Sequence, residues 1–370
     1  MTMEATRTAF NGDETAERLS GEEELRFIRN FHDVFLSLGI AMFSAGLAIA
    51  TAVALGPVLK SVGQDASGPL LTIAGAAGVD AVIMWLMAEF FARGRRLFLP
   101  SIVILIGFSM FMTVAAAAIY GWHIGADREF FDGLEHTGLE GAVRKTSEAL
   151  IFIGGVTTLA IFAFYARMKL PFAMGLGGYA LAGTGAAAIF WAFPNEAVNY
   201  VQLLQLGSGV FLFLLGVYFD ARDPERKSRI SDNGFWLHFF AAPLILNSAL
   251  GMAVGAENII AHQTGAAVTV LVIVFSFAFV SLLINRRALL VAGLIYALIA
   301  GGFLISKVGL SGGWTLAVTL LVMGGAMVLL GGGWHALRRI VVAPFPKEGL
   351  IARIVPPEPP KEARGRQVSE

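Results

Sequence analysis

The chain has 370 residues, of which 56% are hydrophobic and only 15% are charged, and its mean hydropathy is +0.71. A soluble domain of this size carries charge on about a quarter of its residues, so most of this surface must face something other than water. The formal net charge of +0 provides no field that would steer nucleic acid. The chain contains no cysteine, which excludes disulfides, thiolate nucleophiles, Cys-ligated zinc and iron–sulfur clusters.

Residues 1–30 form a polar segment that precedes the first apolar run. Ser20 and Glu23 have the spacing of a capping box, which predicts a short amphipathic helix leading into the membrane. The run that begins near Val34 is too long for the core of a cleavable signal peptide and is interpreted as the first span.

Ten apolar runs are long enough, or nearly so, to cross the roughly 30 Å of hydrocarbon in a bilayer as helices. They do not alternate apolar and polar residues as barrel strands do. The predicted fold class is therefore all-α, a polytopic transmembrane helix bundle of about ten spans. The runs are 34–59, 70–92, 97–121, 149–166, 170–192, 199–219, 235–255, 264–284, 288–305 and 314–334.

The positions of lysine and arginine indicate the orientation, because these residues concentrate in cytoplasmic loops. With the N-terminus inside, the basic clusters at 93–96, 167–169, 222–229 and 286–287 all fall in the cytoplasm, together with both tails. The outer loops then hold only Lys60, Arg128, Arg144, Lys145 and Lys307. The pattern predicts an even number of spans with both termini cytoplasmic.

Three spans end on the predicted cytoplasmic side in aromatic residues followed by arginine: Phe90-Phe91-Ala92-Arg93, Phe164-Tyr165-Ala166-Arg167 and Tyr218-Phe219-Asp220-Ala221-Arg222. Aromatic rings at headgroup depth followed by a cation in water are typical of a membrane interface. The alternative interpretation is a diverged duplication of helical hairpins.

The transmembrane domain is predicted to extend over residues 31–340, and the cytoplasmic tail 341–370 is rich in proline and charge, which predicts disorder. One sizeable outer loop spans residues 122–148. Its Asp132, His136 and Glu140 are spaced by four and would align on a helix as metal ligands, but neighbouring glycines favour a solvated loop over a metal site.

No catalytic signature occurs in the chain: there is no G-x-S-x-G, H-E-x-x-H, P-loop or strand-following G-x-G-x-x-G. An enzyme is therefore not the favoured reading. No catalytic residue, metal site or cofactor is predicted, and the predicted partners are the lipid bilayer and a small solute or cation rather than nucleic acid. The sequence does not indicate an oligomeric state.

Polar residues inside the spans are the candidates for function, because a charge at mid-bilayer costs about 3 kcal/mol and persists only with a partner or a wet cavity. Asp80 lies in the middle of the span 70–92, after the small residues 74–78, so it is expected to face protein. Glu89 follows nine residues later on the opposite face, near the cytoplasmic end, where an ion pair with Arg93 is the simpler reading.

The span 235–255 has a similar arrangement, with His238 near its inner end and Asn247 near its middle. If the two helices are neighbours, either Glu89 with His238 or Asp80 with Asn247 could pair. The simpler readings are a polar tip reaching the interface for His238 and interhelical hydrogen bonding for Asn247. Asp80, Glu89, His238 and Asn247 are thus the candidate binding or coupling residues.

Three stretches, RGRRLFLPSIVILIGF (93–108), FWLHFFAAPLILN (235–247) and GGGWHALRRI (331–340), resemble polytopic bacterial membrane proteins that carry a domain of unknown function. The resemblance implies a multi-helix protein of the bacterial inner membrane. It implies no activity for particular residues.

Two functions remain open from the sequence. The first is a proton- or cation-coupled transporter or permease of a small solute, with Asp80 as the coupling carboxylate. The second is a non-transporting scaffold, assembly or stress protein whose intramembrane polar residues are structural. A transporter is expected to have broken helices around its mid-membrane carboxylates, whereas a scaffold is expected to have continuous helices.

Overall fold

The computed structural model describes residues 31–61, 67–125, 138–223, 229–254, 264–286, 288–309, 313–346 and 349–355. Within these ranges the chain is helical and forms no strand. The predicted N-terminal amphipathic helix and residues 356–370 lie outside the described residues.

The main helices are α1 (Phe31–Ala54), α2 (Ser67–Ala88), α3 (Phe98–His123), α4 (Gly138–Met168), α5 (Pro171–Ala192), α6 (Val201–Arg222), α7 (Arg229–Val254), α8 (Thr264–Ile284), α9 (Ala288–Ser306), α10 (Gly313–Gly332) and α11 (Trp334–Val342). A π-helical turn, Glu89–Gly94, continues α2. Shorter helices are Gly56–Ser61, Pro194–Asn199 and Leu350–Ile354.

Among the described residues, nine helices are long and apolar enough to cross a membrane, and they coincide with nine of the ten predicted runs. The ninth predicted run, 288–305, coincides with α9, which has 19 residues. At 1.5 Å per residue α9 is about 28 Å long, which is just short of the hydrocarbon thickness. The all-α polytopic fold is therefore confirmed, with nine candidate spans and a tenth helix at the lower limit of length.

Helix α4 begins eleven residues before the predicted span at 149, at Gly138, whose φ is +67°. The solvated loop predicted for 122–148 is thus replaced by helix in its second half. Glu140 lies in the first turn of α4 and accepts a hydrogen bond from Asn195 Nδ2 at 3.2 Å. Asp132 and His136 of the considered metal site lie outside the described residues.

Helix α11 continues past residue 340, and the short helix Leu350–Ile354 lies inside the segment predicted to be disordered. The Pro-rich stretch from Pro356 onward lies outside the described residues. Disorder therefore stays a prediction for that stretch.

The chain divides into two compact units. The N-terminal unit comprises the described parts of 25–214 and 236–249, and the C-terminal unit comprises the described parts of 215–235 and 250–355. The core of the N-terminal unit is formed by large side chains of α2, α3 and α4, among them Met84, Phe108 and Phe164. The Trp85 ring contacts the Phe108 ring in a tilted arrangement and the Phe164 ring edge to face, at centroid distances of 5.5 and 5.8 Å.

Two hairpins of the N-terminal unit, α2–α3 and α4–α5, turn in the same way. Each has one left-handed residue, Arg96 (φ 53°) or Lys169 (φ 54°), followed by an extended leucine before the next helix. Proline at the first position of α5 has its φ set for a helix start and lacks only an N–H that would have no partner there. Non-glycine residues with left-handed φ are uncommon, so their recurrence is a specific similarity.

The π-helical turn accounts for the one difference between these hairpins. Arg93 precedes the left-handed residue Arg96 by three positions, whereas Arg167 precedes the left-handed residue Lys169 by two. The hydrogen-bonded loop of a π-helical turn contains one residue more than that of an α-helical turn. The turn Glu89–Gly94 therefore accommodates the extra position. The shared geometry agrees with the hypothesis of a duplicated hairpin.

We expect topology reporters to place both termini on the same, cytoplasmic side. Fusions after Lys60, Glu196 and Lys307 should report the outside, and fusions after Arg96, Arg229 and Arg287 the inside, because the basic residues cluster at the second set of turns. Paired alkaline phosphatase and green fluorescent protein fusions measure this. A cytoplasmic signal at any position of the first set contradicts the orientation.

Candidate functional site

Asp80 lies at the middle of α2 and is 4% exposed. Its Oδ2 accepts a hydrogen bond from the Thr51 hydroxyl of α1 at 2.8 Å. Within the part of the chain that the structure describes, this is its one hydrogen bond, and no basic side chain forms an ion pair with it. Asp80 therefore faces the protein as a buried carboxylate that has no counter-ion among the described residues.

Small residues line the contacts that α2 makes with its neighbouring helices. On α2, Ala77 and Ala81 flank Asp80 and are buried. On α3, a Cβ atom added to Gly107 would lie 2.7 Å from both Ser44 Oγ of α1 and Met84 Cε of α2. The lack of a side chain at Gly107 thus lets α3 lie close to α1 and α2.

Glu89 has two cationic partners. Its Oε1 accepts from Arg167 Nε of α4 at 2.7 Å, and its Oε2 accepts from Arg93 Nη1 at 3.3 Å. The expected pair with Arg93 is present, and the contact with Arg167 joins the two similar hairpins. Both arginine side chains are about half exposed, so water screens these interactions.

The candidates on α7 lie in different surroundings. His238 is completely buried, and its ring contacts the Phe213 ring at a centroid distance of 4.9 Å. The reading of His238 as a polar tip at the interface is therefore wrong. Asn247 is exposed. Neither considered pair forms, because the described hydrogen bonds and ion pairs of Asp80 and Glu89 go to Thr51, Arg93 and Arg167.

The C-terminal unit contains a buried polar cluster that is not evident from the sequence. Arg286, 2% exposed, forms a two-point ion pair with Asp220, with Nε donating to Oδ2 at 3.0 Å and Nη2 to Oδ1. Asp220 lies inside one of the aromatic–arginine motifs, whose pattern is typical of residues at a membrane interface. The pair joins the C-terminal end of α6 to the turn between α8 and α9.

Helix α11 completes this cluster. Trp334 Nε1 donates to Asn285 Oδ1 at 3.0 Å, and Arg338 Nε donates to the carbonyl of Leu282 at 3.0 Å. Trp334 and Arg338 are each 1% exposed. The stretch GGGWHALRRI, noted in the sequence for its resemblance alone, thus contributes buried hydrogen bonds to the α8–α9 turn.

The described residues contain no group of three or more His, Asp and Glu side chains that could hold a metal ion. Comparisons of the chain with protein-family models, curated proteins and solved structures find no match. The resemblance to bacterial membrane proteins of unknown function therefore gains no support from them. What is established is a multi-pass integral membrane protein in contact with lipid.

Proposed function

We propose that this integral membrane protein is a proton- or cation-coupled permease of a small solute in the bacterial inner membrane, with Asp80 as the coupling carboxylate. The observation that carries the proposal is the burial of Asp80 with one hydroxyl donor and no cation among the described residues. Of the four candidates, Glu89 is neutralised by two arginines, and Asn247 is exposed.

An ionised carboxylate in hydrocarbon is costly unless a cation or several donors compensate it. One Thr51 hydroxyl compensates only in part, so the carboxylate must bind a proton or meet a cation that enters. A bound metal cation usually takes several oxygens, often from unwound backbone. Helix α2 is continuous through Asp80, which keeps its carbonyls in helical hydrogen bonds. The geometry therefore favours a proton over a metal cation.

A scaffold is the second candidate, and the same continuity of α2 supports it. Transporters commonly interrupt their helices at the coupling site, whereas here the irregular turn begins nine residues after Asp80. A permanently neutral Asp80 that only accepts the Thr51 hydrogen bond would serve to hold α1 against α2. The two functions differ in whether Asp80 exchanges protons.

Dicyclohexylcarbodiimide, which reacts with protonated carboxyl groups in apolar surroundings, distinguishes the permease from the scaffold. We expect the reagent to modify Asp80 in vesicles containing the purified protein, with the modified fraction falling as the pH rises, because only the protonated form reacts. Peptide mass spectrometry measures the fraction. Asp80→Asn is the control for the site, and Glu89, held by two arginines, should stay unmodified.

Transport itself is tested with Asp80→Asn, which retains the size of the side chain and an acceptor for the Thr51 hydroxyl but cannot ionise. Vesicles loaded with a pH-sensitive dye should show proton entry with the native protein and lose it in the variant. Either of two results with normally folded protein would overturn the proposal in favour of the scaffold. The first is modification of Asp80 that does not depend on pH, and the second is proton entry that is unchanged in the Asp80→Asn variant.

A further inference from the structure

The turns of the two similar hairpins in the N-terminal unit carry exposed cations side by side. Glu89 accepts hydrogen bonds from Arg93 of its own turn and from Arg167 of α4, and so holds the two turns next to each other. It is the only acidic residue in these turns. The exposed residues form what we call the cationic surface: Arg93, Arg95, Arg96, Arg167 and Lys169.

Three cations of this surface have no acidic partner among the described residues: Arg95, Arg96 and Lys169. Arg95 Cζ lies 4.9 Å from the centroid of the Phe90 ring. Lys169 Nζ lies 5.8 Å from the centroid of the Tyr165 ring. Contact with a ring attracts a cation but does not neutralise its charge, so the surface keeps positive charge that an anionic ligand can bind.

The backbone of both turns disfavours the residues that it carries. Arg96 (φ 53°) and Lys169 (φ 54°) are left-handed, a conformation in which glycine and asparagine are favoured over long side chains. The turn between α8 and α9 has the favoured residue: its left-handed position is Asn285 (φ 54°), and the following Arg286 is buried in the ion pair with Asp220. Strain that is kept at particular side chains points to a function for them.

An exposed apolar face of α2 ends at these cations. Leu86 and Phe90 are four residues apart on α2 and its π-helical continuation, so they lie on the same side, and they are 62% and 53% exposed. Arg95 lies over the Phe90 ring at the end of this face. A ligand that matches both features has an apolar part next to an anionic group.

We propose that the cationic surface binds the phosphate group of an anionic phospholipid, whose acyl chains lie along Leu86 and Phe90. Arg95, Arg96 and Lys169 donate to the phosphate oxygens, and the planar guanidinium groups match the geometry of phosphate. The turns lie on the side predicted to be cytoplasmic, where basic clusters next to a span typically bind anionic lipids. The inference does not rest on the proposed function, which concerns a different carboxyl group.

The double variant Arg96→Asn/Lys169→Asn tests the site, because asparagine already has this backbone conformation at Asn285 and should not strain the turns. The full-length protein in a neutral detergent is titrated with phosphatidylglycerol, and native mass spectrometry measures the bound lipid. From the usual contribution of a basic residue near a lipid phosphate, we expect the dissociation constant to rise about thirtyfold. Binding of phosphatidylcholine, whose headgroup has no net charge, should be unchanged.

The matched control is Arg222→Asn/Lys307→Asn, which also removes two exposed cations, each lying over an aromatic ring. It should bind phosphatidylglycerol as the native protein does. Equal weakening in both double variants would overturn the proposal, because it would show attraction to net charge without a particular site. Unchanged binding in Arg96→Asn/Lys169→Asn would also overturn it and would leave these cations a structural role at the helix ends.

Two further measurements complete the test. Size-exclusion profiles identify a misfolded variant, and Arg95→Gln, at a residue with an ordinary φ of −92°, then replaces the double variant, with an expected loss of about fivefold. Inorganic phosphate at the same concentration as phosphatidylglycerol should not displace the lipid, because it makes no contact with Leu86 and Phe90. Displacement at equal concentration would contradict a lipid site and indicate one for soluble phosphate.

Discussion

Asp220→Asn is expected to lower the free energy of unfolding by about 3–5 kcal/mol, because removal of one member of a buried ion pair leaves the other charge uncompensated. Arg286 is 2% exposed, and Asp220 accepts hydrogen bonds from two of its nitrogens. Asparagine retains one acceptor but not the charge. The loss should appear as an earlier thermal transition of the detergent-solubilised protein, followed by size-exclusion chromatography after heating.

The double variant Asp220→Asn/Arg286→Met distinguishes the effect of an unpaired buried charge from the effect of losing the whole ion pair. Replacing a whole buried pair with uncharged side chains is often close to neutral, so the double variant should be more stable than Asp220→Asn alone. Glu89→Gln is the control for an exposed pair, where the arginine partners are about half in water and the transition should hardly move. An Asp220→Asn transition equal to that of Glu89→Gln would contradict the burial of this pair.

Gly175→Ala is expected to cost about 1–3 kcal/mol by overpacking the contact between α5 and α7. A Cβ atom at this position would lie 2.8 Å from Trp236 Cβ, 2.9 Å from Phe240 Cδ2 and 2.9 Å from the carbonyl carbon of Trp236. Two of the three atoms belong to the backbone or the base of a side chain, so a rotamer change cannot relieve the contact and the helices must separate.

Gly183→Ala on the same helix is the matched control. Nothing lies within 4 Å of a Cβ atom there, and alanine favours a helix over glycine by about 1 kcal/mol. The control should be as stable as the native protein or slightly more stable. If Gly175→Ala raises the thermal transition as much as Gly183→Ala does, the close approach of α5 to Trp236 is wrong.

Composition and hydropathy determined most of the architecture. A bilayer leaves no water for backbone N–H and C=O groups, so an apolar run of about 20 residues has to become a helix. For this reason the predicted run 264–284 has the bounds of α8, and the run 170–192 begins one residue before α5. The start of α4 was missed because residues 138–148 are polar, and hydropathy detects spans rather than helices that extend beyond them.

For the candidate site, the sequence identified Asp80 because an acid within an apolar run is costly and therefore conspicuous. The sequence could not identify Thr51 as the hydrogen-bond donor to Asp80. A hydroxyl in a helix can donate to its own backbone, and nothing in the sequence indicates a side-chain partner instead. Thr51 and Asp80 are 29 residues apart and meet only because α1 packs against α2.

The buried cations of the C-terminal unit show the same difference between what the sequence indicates and what helix packing decides. Arg286 and Arg338 follow the ends of apolar runs in the sequence, and such residues usually reach water. In the structure Arg286 is paired with Asp220, and α11 brings Arg338 onto the carbonyl of Leu282. In lipid, each span must form its backbone hydrogen bonds within its own helix, so spans can be predicted from the local sequence. Side-chain partners from distant positions are selected by packing, which only the tertiary structure decides.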